Sequence, residues 1–137
     1  MPYDWVIAAA LGSFIMVAGA SIVWSTLRTG ISPMPSSPKA RKVIIDLAVP
    51  MNPSVIYELG SGFGTLALPL AKQFPDAHII AYEVSFVPWF ISRLRASLAQ
   101  LPNLSIMRSD FLDADFKEAN LLICYLYPGA MSALSEK

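Results

Sequence analysis

Val55-Ile56-Tyr57-Glu58-Leu59-Gly60-Ser61-Gly62-Phe63-Gly64-Thr65 decides how this chain is read. A short apolar run ends in an acid, and glycine then occupies every second position from 60 to 64. That is the pattern of a buried parallel strand turning sharply into a helix beside a ligand. Glycines in such a turn take φ > 0, let a ligand touch bare backbone, or let the helix pack closely on the sheet. Glu58, at the strand tip, is placed to accept hydrogen bonds from a ligand's polar end or to fix the loop. Taken alone, the motif indicates a nucleotide-like ligand and goes no further.

The flanking sequence narrows the choice. Strand-like runs occur at Val55–Glu58, His78–Glu83, Leu104–Arg108 and Leu121–Leu126, with helical segments at about Thr65–Gln73 and Phe86–Gln100. Ser85 is suited to cap the second of these helices, with Pro88 in its first turn. Alternation of helices with nearly continuous apolar strands predicts an α/β fold, a Rossmann-like parallel sheet covered on both faces. The dinucleotide fingerprint asks for glycine or alanine where this chain has Thr65, which shifts weight from NAD or FAD to another adenosine-bearing ligand. Glu83, 19 residues after Gly64, stands at the tip of the second strand, where an acid accepts from both ribose hydroxyls. Asp110 follows the third strand, placed to grip an adenine amino group with Phe111 beside the ring.

The series Glu58, Gly60-x-Gly62-x-Gly64, Glu83 and Asp110 is similar to that of class I S-adenosylmethionine-dependent methyltransferases over roughly residues 38–137. More narrowly, an apolar N-terminal helix, a Pro-x-Pro linker and Tyr57-Glu58-Leu59-Gly60-Ser61-Gly62 resemble a small family of membrane-anchored protein-lysine methyltransferases. Eukaryotic members of that family are mitochondrial and modify lysines of inner-membrane proteins. The resemblance implies S-adenosyl-L-methionine as cofactor and a protein lysine as acceptor. It implies a methionine-side loop of Glu58, Gly60, Ser61, Gly62 and Gly64, a ribose grip of Glu83 with Val84, and an adenine site of Asp110 and Phe111. Tyr125 would complete the cofactor site, and Tyr127 and Pro128 would stand at the methyl-transfer end. The tyrosine–proline step is similar to the aromatic–proline pattern of amine-directed members, although the Asn/Asp-Pro-Pro-Tyr form is absent. No general base is named, because the sulfonium carries its own leaving group and catalysis is mainly in-line positioning.

Each of these residues also has an ordinary structural reading. Glycines after a strand form turns, Glu83 can simply open a helix, and Asp110 shares its loop with Asp113 and Asp115. Tyr125 and Tyr127 can be core and surface aromatics, His78 a solvated edge residue, and Cys124 a small core filler.

The N-terminal third is of another kind. The chain of 137 residues is 55 % hydrophobic and 15 % charged, and its mean hydropathy of +0.52 is high for an ordinary soluble domain. Much of the excess lies in Trp5 to Leu27, 23 residues without a charge. As a helix this stretch spans roughly 34 Å, enough to cross a ~30 Å hydrocarbon layer with some tilt. Trp5 and Trp24 lie near its two ends, where amphipathic rings prefer to sit, and Gly12, Ala18, Gly19 and Ala20 suit helix packing. Ala18-Gly19-Ala20 also resembles a signal-peptide cleavage site, but no Lys or Arg precedes the apolar run and the run continues past it. Arg28, Lys39, Arg41 and Lys42 all follow the run. The positive-inside rule therefore predicts a single pass with the N-terminus out and the rest in the cytosol.

The expected organisation is an anchor at 1–28, a Pro/Ser linker at 29–37 and an S-adenosylmethionine-binding domain at 38–137. Ser37 reads as an N-cap and Pro38 as the first residue of a helix running to about Val49. Net charge is zero and the pI near 6.5, which gives no reason to expect nucleic acid as partner. The single cysteine excludes an internal disulfide and a cysteine-built metal site.

A class I sheet carries strands beyond the fourth, and these are missing from the sequence. The fourth strand, apolar on both faces, is then expected at an open edge, and three accounts stand: a shortened gene product, pairing with a partner or a second copy of the chain, or a departure from the usual sheet. A catalytically inactive cofactor-binding remnant is the alternative to an active enzyme.

Overall fold

The structure is a computed structural model, described here over residues 3–29, 36–124 and 128–136. Helix α1 (Asp4–Thr29) is followed by α2 (Pro38–Ala48), β1 (Val55–Leu59), α3 (Ala67–Gln73), β2 (His78–Tyr82), α4 (Phe86–Leu98), β3 (Leu104–Met107), β4 (Leu121–Cys124) and α5 (Pro128–Ser135). The strands form one parallel sheet in the order β3-β2-β1-β4. Each expected strand is present. The expected continuation of the fourth through Tyr125 and Leu126 lies outside the described residues.

The order explains where a ligand belongs. The chain steps outward from β1 to β2 to β3, then crosses back to lay β4 on the other side of β1. Ligands of open parallel sheets bind at the carboxyl ends of the strands, at such a reversal. Glu58 and the turn after Leu59 stand there. Register is set by the apolar pattern: Ile56 faces Ile79 and Leu121, and Glu58 faces Ala81 and Ile123.

Side chains alternate across a strand, so the sheet has two cores. On one face Ile56, Ile79 and Ile123 pack with Leu66, Leu70 and Ala71, and Ile44 and Ile45 of α2 add to them. On the other, Tyr57, Leu59 and Phe111 pack with Tyr82, Phe116 and Leu134 of α5. Tyr57 stacks on Tyr82 at 6.0 Å and meets Phe116 edge-on at 5.7 Å. At the amino ends of the strands two asparagines tie loops down. The Asn103 Nδ2 donates to the carbonyls of Ala71, Phe74 and Ala77, and the Asn120 Oδ1 accepts from Ser54 and Val55 N–H.

The N-terminal half follows its local signals closely. Ser37 caps α2, its Oγ accepting from the Ala40 N–H at 3.1 Å, with Pro38 at the first helical position. Helix α1 is continuous through Ala18-Gly19-Ala20, and its Asp4–Trp24 stretch is apolar enough to cross a membrane, with mean hydropathy 2.3. It lies outside the sheet's core and packs against α4.

At the other margin β4 is an edge strand among the described residues. Beside it, Val43, Leu47 and Met51 face Leu121–Cys124 across an open apolar groove of about 650 Å³.

Candidate functional site

The loop from Gly60 to Leu66 is built by positive backbone angles and by stitching to β2. Gly60, Gly62 and Gly64 have φ of 75°, 56° and 75°. At Gly64 a side chain is excluded twice: by that angle, and because a Cβ would stand 2.7 Å from Leu68 Cδ1 and 3.1 Å from Ser92 Cβ. The N–H groups of Gly60 and Ser61 both donate to the Tyr82 carbonyl, at 3.0 and 2.8 Å, and the Gly64 N–H donates to the Ser61 carbonyl. This turn delays helix α3 to Ala67, two residues later than the sequence suggests.

Two buried acids flank the loop on one face of the sheet. Glu83 Oε2 accepts from the Gly62 N–H at 2.7 Å, and Oε1 from the Ser85 N–H at 2.8 Å. Ser85 holds the cap position of α4, with extended backbone, and Pro88 lies in the first turn. Glu83 thus ties the glycine loop to the start of α4. Each of its oxygens keeps a second lone-pair direction for a ligand hydroxyl.

Glu58 is 5 % exposed, and its Oε2 has no hydrogen-bond partner. Burial, reinforced by the nearby Glu83 carboxylate, pushes its pKa up to about 8. Ser61 Oγ, on the same loop, is likewise buried without a partner. Buried polar atoms are nearly always satisfied, which makes these two unpaired atoms candidate contacts for a ligand.

The remaining predicted residues divide. Val84 is half-buried between Glu83 and Ser85. Asp110 caps the 3-10 turn Phe111–Asp113, its Oδ1 accepting from the Leu112 N–H at 2.9 Å. Phe111, expected beside an adenine ring, lies in the core against Tyr57 and Leu59 and is 3 % exposed. Tyr125 and Tyr127 lie outside the described residues, and Pro128 opens α5.

Two supporting residues were not singled out from the sequence. Ser92, fully buried on α4, is the surface on which Gly64 rests, and the Arg95 guanidinium donates to the Phe63 carbonyl at 2.6 Å. Pro88, Ser92 and Ala96 form a stripe of small buried residues at four-residue spacing. That stripe was the available signal for a helix pressed onto a loop. Arg95 gives no such signal, since its partner is 32 residues away.

The candidate site is therefore the glycine loop with its two buried acids rather than either of two wide grooves elsewhere. One of those lies between α4 and β3, about 720 Å³, and the other beside β4. Neither is lined by the loop or by its acids.

Known proteins resemble this chain over the sheet domain. A protein-lysine N-methyltransferase of Saccharolobus islandicus is 23 % identical over 110 residues, a match covering 76 % of this chain and 65 % of that protein. The chain thus spans just under two thirds of that relative's length. An RNA methyltransferase of Salinibacter ruber, solved in complex with S-adenosyl-L-homocysteine, superposes with a TM-score of 0.68 at 24 % identity, over 75 % of this chain and 67 % of that one. A dimethyladenosine transferase of Plasmodium falciparum superposes with a TM-score of 0.64 at 20 % identity, over 76 % of this chain and 37 % of that one. These solved structures show the same fold. Residues 58–137, more than half of the chain, match the family model of the ANTKMT methyltransferase domain, a match that opens on Glu58 itself, and the chain belongs to that family.

Proposed function

We propose that this chain is an S-adenosylmethionine-dependent methyltransferase, held at a membrane by α1, that methylates lysine in a neighbouring protein. The observation that carries it is the pair of buried acids on the glycine loop. Glu58 has an unpaired oxygen beside an unpaired Ser61 hydroxyl, and Glu83 is fixed by two backbone N–H groups. A ligand with a cationic amino-acid end and a ribose diol fits that set: Glu58 faces positive charge, and Glu83 accepts from hydroxyls. The Salinibacter ruber neighbour's S-adenosylhomocysteine has that chemistry.

When bound, S-adenosylmethionine supplies a methyl group already activated on a sulfonium sulfur. This chain's residues have only to hold, align and exclude water. Gly60, Ser61, Gly62 and Gly64 offer close backbone along the methionine side, with Glu58 balancing charge. Glu83, with Val84, holds the ribose end, and Asp110 borders the adenine end, with Phe111 packed in the core behind it. Tyr125, Tyr127 and Pro128 follow β4 in the chain and would wall the acceptor end. A lysine amine attacks only when neutral, and walls of tyrosine and proline favour that form by desolvation.

Two features support a protein acceptor near a bilayer. The Saccharolobus islandicus relative is a protein-lysine methyltransferase, and α1 carries an uncharged stretch of membrane-spanning length followed by Arg28, Lys39, Arg41 and Lys42. That charge placement supports a cytosolic position for the sheet domain. Confinement to the bilayer plane raises the effective concentration of membrane-protein lysines.

The test is methyl transfer by the full chain in lipid vesicles, using isotopically labelled S-adenosylmethionine and a membrane-protein acceptor fraction. Label recovered as methyl-lysine is expected. Label only in extracted lipid would reassign the acceptor. Cofactor binding without any transfer would leave a ligand-binding protein.

A further inference from the structure

Helix α4 is apolar on two opposite faces. Its inner stripe, Pro88, Ser92 and Ala96, is buried on the sheet and the glycine loop. Phe86, Phe90, Leu94 and Leu98 stand two residues out of phase with that stripe, about 200° round the helix. They are 49, 53, 51 and 76 % exposed. Four-residue steps advance only about 40° each, so these side chains form one continuous outward row. A helix with one buried face should carry polar residues on the other. A row of large apolar side chains in water marks a contact surface.

We propose that this row docks α4 onto the surface of an anionic lipid bilayer, as an interfacial helix beside the membrane-spanning α1. The inference rests on the membrane-anchor reading above. Three observations select lipid as the occupant. Helix α1 packs against α4, and among the α1 residues whose exposure is described, those that lose it are Ala18, Ser21, Ile22 and Thr26, all in its second half. Helix α4 therefore lies at the level where the span leaves the bilayer. The row is also edged by exposed cations: Arg108 lies 5.3 Å from the ring centre of Phe86 in the row, and Arg93 lies 5.4 Å from the ring centre of the neighbouring, partly buried Trp89. Guanidinium groups in that position meet headgroup phosphates while the apolar row enters the acyl boundary. Finally, if α1 spans the bilayer, a partner protein seated on the row would have to enter beside its emerging end, among the lipid headgroups.

The consequence reaches the site. Gly64 rests on Ser92, and Arg95 holds the Phe63 carbonyl. The glycine loop is thus separated from the docked surface by the thickness of one helix, about 10 Å. Acceptor lysines close to the headgroup layer are then the reachable ones.

The experiment uses the full chain in a Cys124→Ala background, reconstituted in phosphatidylcholine vesicles with and without phosphatidylglycerol. An environment-sensitive label is placed singly at Phe90→Cys, Leu94→Cys, Phe14→Cys in α1, and Glu118→Cys on the other side of the sheet. Lipids carrying a quencher at shallow or deep positions report depth. Shallow quenching at 90 and 94, at least roughly twofold above that at 118 and stronger with phosphatidylglycerol, is expected for an interfacial helix. Adding Arg93→Glu should lower the docked-to-undocked ratio by about fivefold or more in the anionic vesicles. Deep quenching at 14 with none at 90 and 94 would overturn the docking and leave the anchor standing. Quenching at 90 and 94 without any at 14 would support docking and overturn the anchor, and quenching at none of the three would overturn both. A label at 90 that reports an apolar setting but is not quenched by lipid would mean that a protein covers the row, which also overturns the proposal.

Discussion

Glu58 and Glu83 stand at the tips of adjacent strands, both buried on the same face, and the structure treats them in opposite ways. Glu83 is built in: two backbone N–H groups donate to it, and it joins the glycine loop to α4. Glu58 is left over: its Oε2 has no partner, and its pKa rises to about 8. The contrast teaches how a loop can be rigid before its ligand arrives and still attract it. One acid holds the loop in shape, and the other carries an unmet demand for positive charge.

The largest expected effect comes from removing the space on which both acids depend. Gly64→Val forces a side chain into a positive-φ position and into Leu68 and Ser92. It should cost about 3 kcal/mol or more, read as a large fall in the thermal midpoint of the detergent-solubilised chain. Glu83→Ala strands the Gly62 and Ser85 N–H groups in a buried setting. A loss of about 2–4 kcal/mol is expected, together with loss of S-adenosylhomocysteine binding. A stable variant that binds normally would erase the distinction drawn between the two acids.

Glu58→Gln should behave in the opposite sense. It keeps the shape and removes the acid, so stability near neutral pH is kept or improved while affinity falls. The pH dependence sharpens this. Glu58 in the folded chain stays protonated up to about 8, whereas in the unfolded chain it ionises near 4.5. Its contribution to stability is therefore complete below that lower value and is lost as pH rises toward 8, with a limiting slope of ~1.4 kcal/mol per pH unit. Urea unfolding across that window should show the decline in the parent chain and a flatter profile in Glu58→Gln. The smallest effect belongs to the outer brace. Arg95→Ala removes the bond to the Phe63 carbonyl and should cost about 1 kcal/mol, with a modest loss of affinity.

Much of the fold could be read in advance because it is written locally. The apolar runs gave strands within a residue or two of their bounds, Ser37-Pro38 opened a capped helix, and three alternating glycines fell where the backbone turns left-handed. The candidate site was legible as positions, since Glu58 and Glu83 both arrive at strand tips. Their division of labour was not. Whether a carboxylate is satisfied depends on Gly62, 21 residues from Glu83 in the chain, and on how tightly the sheet closes over Glu58. Phe111 shows the same limit: an aromatic after a strand tip looks the same whether it borders a ligand or, as here, fills the core beneath Tyr57. The outward row of α4 was hidden for the converse reason. A helix apolar on both faces reads as fully buried until the structure shows that only one side is covered.

The measurement that bears most directly on the central claim is calorimetric titration of S-adenosylhomocysteine into the full chain, beside Glu58→Gln, in two buffers of different ionisation enthalpy. The account predicts micromolar binding near neutral pH, with proton release as the ligand's ammonium draws Glu58 into its charged form. It also predicts at least roughly tenfold weaker binding, without that proton release, in a Glu58→Gln variant that melts no lower than the parent. Absence of binding by the folded parent chain, or equal affinity and equal proton release in the two proteins, would contradict it.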